Sequence, residues 1–113
     1  MNPGNGLKLF LLLAGLLVST TSPADPFVGR FEGEIDGKRY ELSVYSDAPG
    51  VYDGELRAAD SRLPVFGQRF GEFLMGKIGF PDDQFAFRGR VMGAVLVLER
   101  QAGSPLRFIR VSD

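Results

Sequence analysis

Glu34 and Glu55 occupy the same place in two copies of one phrase, "GRFEGEI" from Gly29 and "GVYDGEL" from Gly50. A repeated carboxyl pair is what glycan hydrolysis requires, one group as acid and the other as base or nucleophile. The chain offers little else for catalysis. It has no Cys and no His, which removes thiol nucleophiles, the Ser-His-Asp triad and the usual zinc or copper ligands. Strand parity then weakens the carboxylates themselves. Phe31, Gly33 and Ile35 alternate with Glu32, Glu34 and Asp36, so the acids face water while the aromatic faces inward. A carboxylate-dependent glycan enzyme therefore ranks behind a binding role. The expectation is no catalytic residue, no metal and no cofactor.

The repeated phrase reads better as scaffold. Weaker copies begin at Gly71 ("GEFLMGKI") and Gly93 ("GAVLVLER"). The four starts mark hairpin units of about 21 residues. In the first, Asp36-Gly37 supplies a two-residue turn, and "KRYELSVYS" returns with Tyr40, Leu42 and Val44 inward. "VYDGELRA" places Tyr52, Gly54 and Leu56 inward, and "RLPVF" places Leu63 and Val65 there. "EFLMGKIGF" is read with Phe73, Gly76, Ile78 and Phe80 inward, which requires a β-bulge at Leu74-Met75. "PDDQ" is a turn with Pro81 at its second position. "FAFRGRV" turns Phe85, Phe87, Gly89 and Val91 inward, and "AVLVLER" and "LRFIRV" close the chain. "FEGEIDGKRY" and "YDGEL" resemble the units of MORN repeats. That resemblance covers two of the four units, lacks their further Gly-any-Gly element and implies hairpins alone.

Eight short strands in sequence-adjacent hairpins predict an all-β fold, a small antiparallel up-and-down meander. Closure into a barrel would remove both sheet edges. Inward Gly33, Gly54, Gly76 and Gly89 would let the strands coil tightly.

The chain of 113 residues holds one such domain, expected over 25–113. Ahead of it, Lys8 precedes an apolar run from Leu9 to Val18, then Ser22-Pro23-Ala24. This reads as a signal peptide over 1–24, cleaved between Ala24 and Asp25. The run is half the length of about 20 residues that a spanning helix needs. The protein is thus expected to be periplasmic or secreted. Without disulfides it must rely on a packed core, to which ten Phe contribute. Strands near about seven residues, with charges opposite the aromatics, argue against an outer-membrane barrel.

Three features point to binding. Phe31, Tyr40, Tyr52, Phe73, Phe85 and Phe87 face inward by parity and would line a cavity for a small apolar ligand, as in lipocalin-like carriers. Charge is uneven: nine acids and four bases lie in 25–60, against five acids and eight bases in 61–113. Neutralisation where the halves meet is the competing expectation. Phe66, Phe70 and Arg69, with Arg88 and Arg90, form a candidate surface for an exported protein partner. Packing of the N-terminal "DPFV" segment over these aromatics competes with that. A net charge of -1 offers no general attraction to nucleic acid. The preferred reading is an exported, non-enzymatic binding module, inhibitor- or chaperone-like.

Overall fold

Asp36 and Gly37 both adopt positive φ, 53° and 77°, the pairing that a two-residue hairpin with the right twist demands. The strands joined there, β1 (Gly29–Ile35) and β2 (Lys38–Ala48), begin a meander. It continues through β3 (Val51–Ala58), β4 (Ser61–Phe70), β5 (Phe73–Phe80), β6 (Asp83–Met92), β7 (Val95–Arg100) and β8 (Leu106–Arg110). The computed structural model describes residues 25–111. The predicted leader over 1–24 and the domain's last two residues lie outside them. All neighbours are antiparallel, and β8 returns to β1 through Phe31↔Arg110 and Glu32↔Ile109, closing the barrel. The Val111 amide, donating to the Arg30 carbonyl at 2.9 Å, extends this seam. Among the described residues no helix is long and apolar enough to cross a membrane.

Every connection except 101–105 is two residues long, so strands run up to their turns. They span 5 to 11 residues and exceed the predicted length at β2, β4 and β6. Their outer faces nonetheless carry Glu32, Glu41, Glu55, Arg57, Lys77, Arg88, Arg90 and Arg107, alternating with the buried residues.

The structure corrects the reading of β5. No bulge occurs at Leu74-Met75. Pairing is residue for residue with β4, from Phe70↔Phe73 to Val65↔Ile78. It is equally regular with β6, from Leu74↔Gly89 to Phe80↔Asp83. Leu74, Gly76 and Ile78 therefore face inward, and Phe73 lies on the outer face. Phe80, at the strand's end, is 53% exposed. The extra residue of the third repeat is absorbed by its turn instead. Gly50 is the second residue of its turn, whereas Gly71 and Gly93 are the first of theirs. The shift changes the spacing from Gly to the first inward side chain by one. A register shift does occur in β2, between Ser46 and Ala48.

Phe31, Ile78, Leu96 and Phe108 are fully shielded, with Leu42, Tyr52, Leu56, Phe87 and Leu98 packed beside them. Such a barrel is filled by its own side chains. Gly54 and Gly76 make the filling possible. A β-carbon on Gly54 would collide with the Ser43 carbonyl, and one on Gly76 with the Phe66 carbonyl. Gly67 differs, since the tight contacts of its β-carbon would be with the Leu74 side chain, and the nearest backbone atom lies at an ordinary 3.5 Å.

One core residue comes from outside the strands. Phe27 is 1% exposed and stoppers the end where β1 begins and β8 finishes. Its ring meets Tyr52 edge-on at 5.9 Å. The opposite end is bordered by half-buried Ile35, Tyr40, Leu63 and Phe85.

Two stability predictions follow from this packing. Gly54→Ala should cost about 2–3 kcal/mol, because a strand backbone must shift, and Gly67→Ala less than half of that. Phe27→Ala should cost about 3 kcal/mol or more, although Phe27 belongs to no strand, while Phe73→Ala on the outer face should cost under about 1 kcal/mol. Urea unfolding midpoints at constant m-value check both rankings.

Candidate protein-binding face

Alternation along β4 sends Leu63, Val65, Gly67 and Arg69 inward, and Pro64, Phe66, Gln68 and Phe70 outward. Phe70, expected within a turn, is the last residue of its strand and pairs with Phe73 across the Gly71-Glu72 turn. Phe66 and Phe70 are 48% and 59% exposed. Met75, on the next strand, is 41% exposed and lies between Gln68 and Arg88. The "DPFV" segment does not cover these side chains, because Phe27 is committed to the barrel end.

Two cations from β6 complete the face. The Arg88 guanidinium stands over the Phe73 ring at 4.8 Å and that of Arg90 at 5.9 Å. Arg88 also donates to Glu99 from Nε at 3.0 Å and from Nη2 at 2.6 Å. Arg90 lies 4.0 Å from Glu72. Exposed pairs of this kind contribute little to stability. Their effect is to hold two guanidiniums beside one aromatic ring, which lowers the ordering cost when a partner arrives. A groove of about 490 Å³ extends the face towards the 101–105 loop, lined by Met75, Ala86, Arg88, Glu99, Gly103 and Pro105.

Of the residues grouped from the sequence, Phe66, Phe70, Arg88 and Arg90 share the outer side of the sheet. Arg69 is exposed but lies in the inward-facing row of β4 by parity, at the barrel end. Arg69 covers the Phe27 ring at 5.3 Å, lies 3.7 Å from the Asp25 carboxylate and donates from Nε to the Gly71 carbonyl at 3.0 Å. Phe73 and Met75 were missed, and correct phasing from Gly76 places both outward.

The interior candidates divide. Phe31, Tyr52 and Phe87 are buried within the core cluster, Tyr40 and Phe85 are half-buried against it, and Phe73 is outside. Glu34 and Glu55 do not converge. Arg30 lies in the same cross-strand row as Glu55, through Ser43. Glu34 is four positions further along β1 and two strands away. That is about 13 Å along the strand and about 9 Å across it, beyond the span over which paired carboxyls act. Among the described residues no cluster of acids is positioned to hold a metal ion.

Ion pairing runs mostly within each half. Arg30–Glu41, Arg39–Glu32, Arg57–Glu41 and Lys38–Asp60 pair within the first half, in β1–β3 and their turns. Arg88–Glu99 and Arg90–Glu72 pair within the second half. Asp25–Arg69 crosses between the halves and links the N-terminal segment to β4.

Beside the face, Tyr52 donates to Asp25 Oδ2 at 2.5 Å. Burial raises the Tyr52 pKa above its ordinary value of 10.0, and the hydrogen bond to Asp25 adds to it. The folded state thus holds the phenolic proton more tightly than the unfolded chain. This contribution is intact below about pH 10 and is lost as pH rises through the folded value. Stability should therefore fall above about pH 10, and Tyr52→Phe should flatten that part of the profile, as read by denaturant midpoints across alkaline pH.

In comparisons with known proteins, no family model, no curated protein and no solved structure matches the chain.

Proposed function

We propose that the protein is an exported, non-enzymatic binding module whose outer β4–β6 face engages another exported protein. The observation that carries this reading is the grouping of Phe66, Phe70, Phe73, Met75, Arg88 and Arg90 on one continuous side of the sheet. Aromatic residues, Met and Arg are the types enriched in interfaces, and clustered aromatics and Arg dominate their energetics. The basic balance of this half favours a partner surface that is apolar at its centre and acidic at its rim. A packed interior supports surface contact over carriage of a cargo. A small rigid body with an exposed aromatic patch suits inhibition or chaperoning of that partner.

Site-specific photo-crosslinking tests this. A crosslinker at Phe70, in the cell that exports the protein, should capture one defined partner, and the same group at Tyr45 should not. Arg88→Glu with Arg90→Glu should weaken the purified complex at least about tenfold, or about 1.4 kcal/mol, while leaving the circular dichroism spectrum unchanged. Equal capture from both positions, or affinity indifferent to the two arginines, would sink the proposal. The mass of the exported chain, expected to begin at Asp25, tests the export step separately.

A further inference from the structure

Phe27 is the core side chain that no strand supplies, and the segment carrying it is held by side chains rather than by a ladder. Asp25 takes the Tyr52 hydroxyl on Oδ2 at 2.5 Å and the Phe27 amide on Oδ1 at 3.0 Å. Arg110 donates to the Val28 carbonyl at 2.8 Å and to the Pro26 carbonyl at 2.5 Å. Val28 closes a turn by donating to the Asp25 carbonyl at 3.1 Å. At Gly29 the chain bends into β1 with φ at 139°, a backbone that other residues rarely adopt.

These contacts define a chemistry. Tyr52 offers its ring edge to an aromatic ring and its hydroxyl to a carboxylate. Arg69 does the same, with its guanidinium over the ring and beside the carboxylate. Two residues each read both features of one small group. A benzyl side chain and a carboxylate presented together satisfy both Tyr52 and Arg69, and neither feature alone does.

We propose that this mouth of the barrel is a binding site for an aromatic group bearing a carboxylate, and that the strap Asp25–Val28 fills it in the resting chain as a tethered ligand. The strap has no ladder partner, so it can open locally while the barrel strands stay paired. The strap's advantage over a free competitor is its effective concentration, of millimolar order for a short tether. The incoming group has two sources of the same chemistry, a free arylalkanoate or an acidic-aromatic segment of another chain, including the strap of a second copy. The site is separate from the β4–β6 face and stands without it.

The Phe27 and Val28 amides report on the strap. Hydrogen exchange of the wild-type chain should be followed with millimolar 3-phenylpropionate and, separately, with the capped peptide acetyl-Asp-Pro-Phe-amide. Displacement should speed exchange at both amides saturably, about fivefold or more, while β-ladder amides keep their rates. A response to the acid alone assigns a free small molecule, and a response to the peptide alone assigns a protein segment. Either supports the site. Absence of any acceleration overturns it. In Asp25→Ala/Phe27→Ala, where both the ring and the carboxylate places are vacated, the same ligands should raise Tm by about 4 °C or more, and toluene and acetate should each do less. A folded double variant stabilised equally by toluene would reduce the mouth to an unspecific cavity and overturn the proposal. If that variant does not fold, the wild-type exchange decides alone.

Discussion

Each of these strands has to find two partners, because an unpaired sheet edge invites pairing with other molecules. Closure through Phe31↔Arg110 and Glu32↔Ile109 satisfies that demand, and much else follows from it. A closed sheet of eight strands must tilt and coil. Coiling brings neighbouring backbones so close at Gly54 and Gly76 that a methyl group has no room. The narrow interior that results is filled by Phe31, Tyr52, Ile78, Leu96 and Phe108. Closure, glycine and a filled core are thus one constraint seen from three sides.

A filled core moves function to the ends and the outer surface. The two ends are unequal. One is bordered by side chains that the strands themselves carry, Ile35, Tyr40, Leu63 and Phe85. The other takes a ring from a separate segment and fastens it with Asp25, Tyr52, Arg69 and Arg110. Hydrophobic burial alone would hold Phe27, but it would not set the direction from which the segment enters. The polar contacts do so, and they satisfy the carbonyls of Pro26 and Val28, which no sheet partner reaches.

Much of this was legible in the sequence. Alternation of large apolar and charged residues fixes strand faces in β1 to β4, and Asp36-Gly37 announces its own turn. Closure is the economical answer for eight short hairpin strands. The errors share one cause. Parity carries along a strand only from a correctly chosen anchor, and Phe73 was a tempting anchor because the first two repeats begin with an inward aromatic. The turn glycine had moved by one position, and a one-residue slip exchanges the two faces of a strand. The position of Phe27 is a tertiary fact. Four residues outside any alternation carry no signal of the mouth they fill.

Topology also decides what happens to charge. In a meander every strand but the closing pair neighbours its sequence neighbours, so an acidic stretch of sequence becomes an acidic stretch of wall. The strands of the two halves meet along two lines. At β3–β4 the cross-strand partners include Asp53↔Phe66, Glu55↔Pro64 and Arg57↔Arg62, and at β1–β8 Glu32 faces Ile109. No acid meets a base in these pairs. A fold with crossovers would interleave the two halves and dilute the asymmetry, whereas this one preserves it as a polarised surface. Such a field orients an approaching molecule before contact, and it sets the aromatic residues of β4 and β5 within the basic half, beside the arginines of β6.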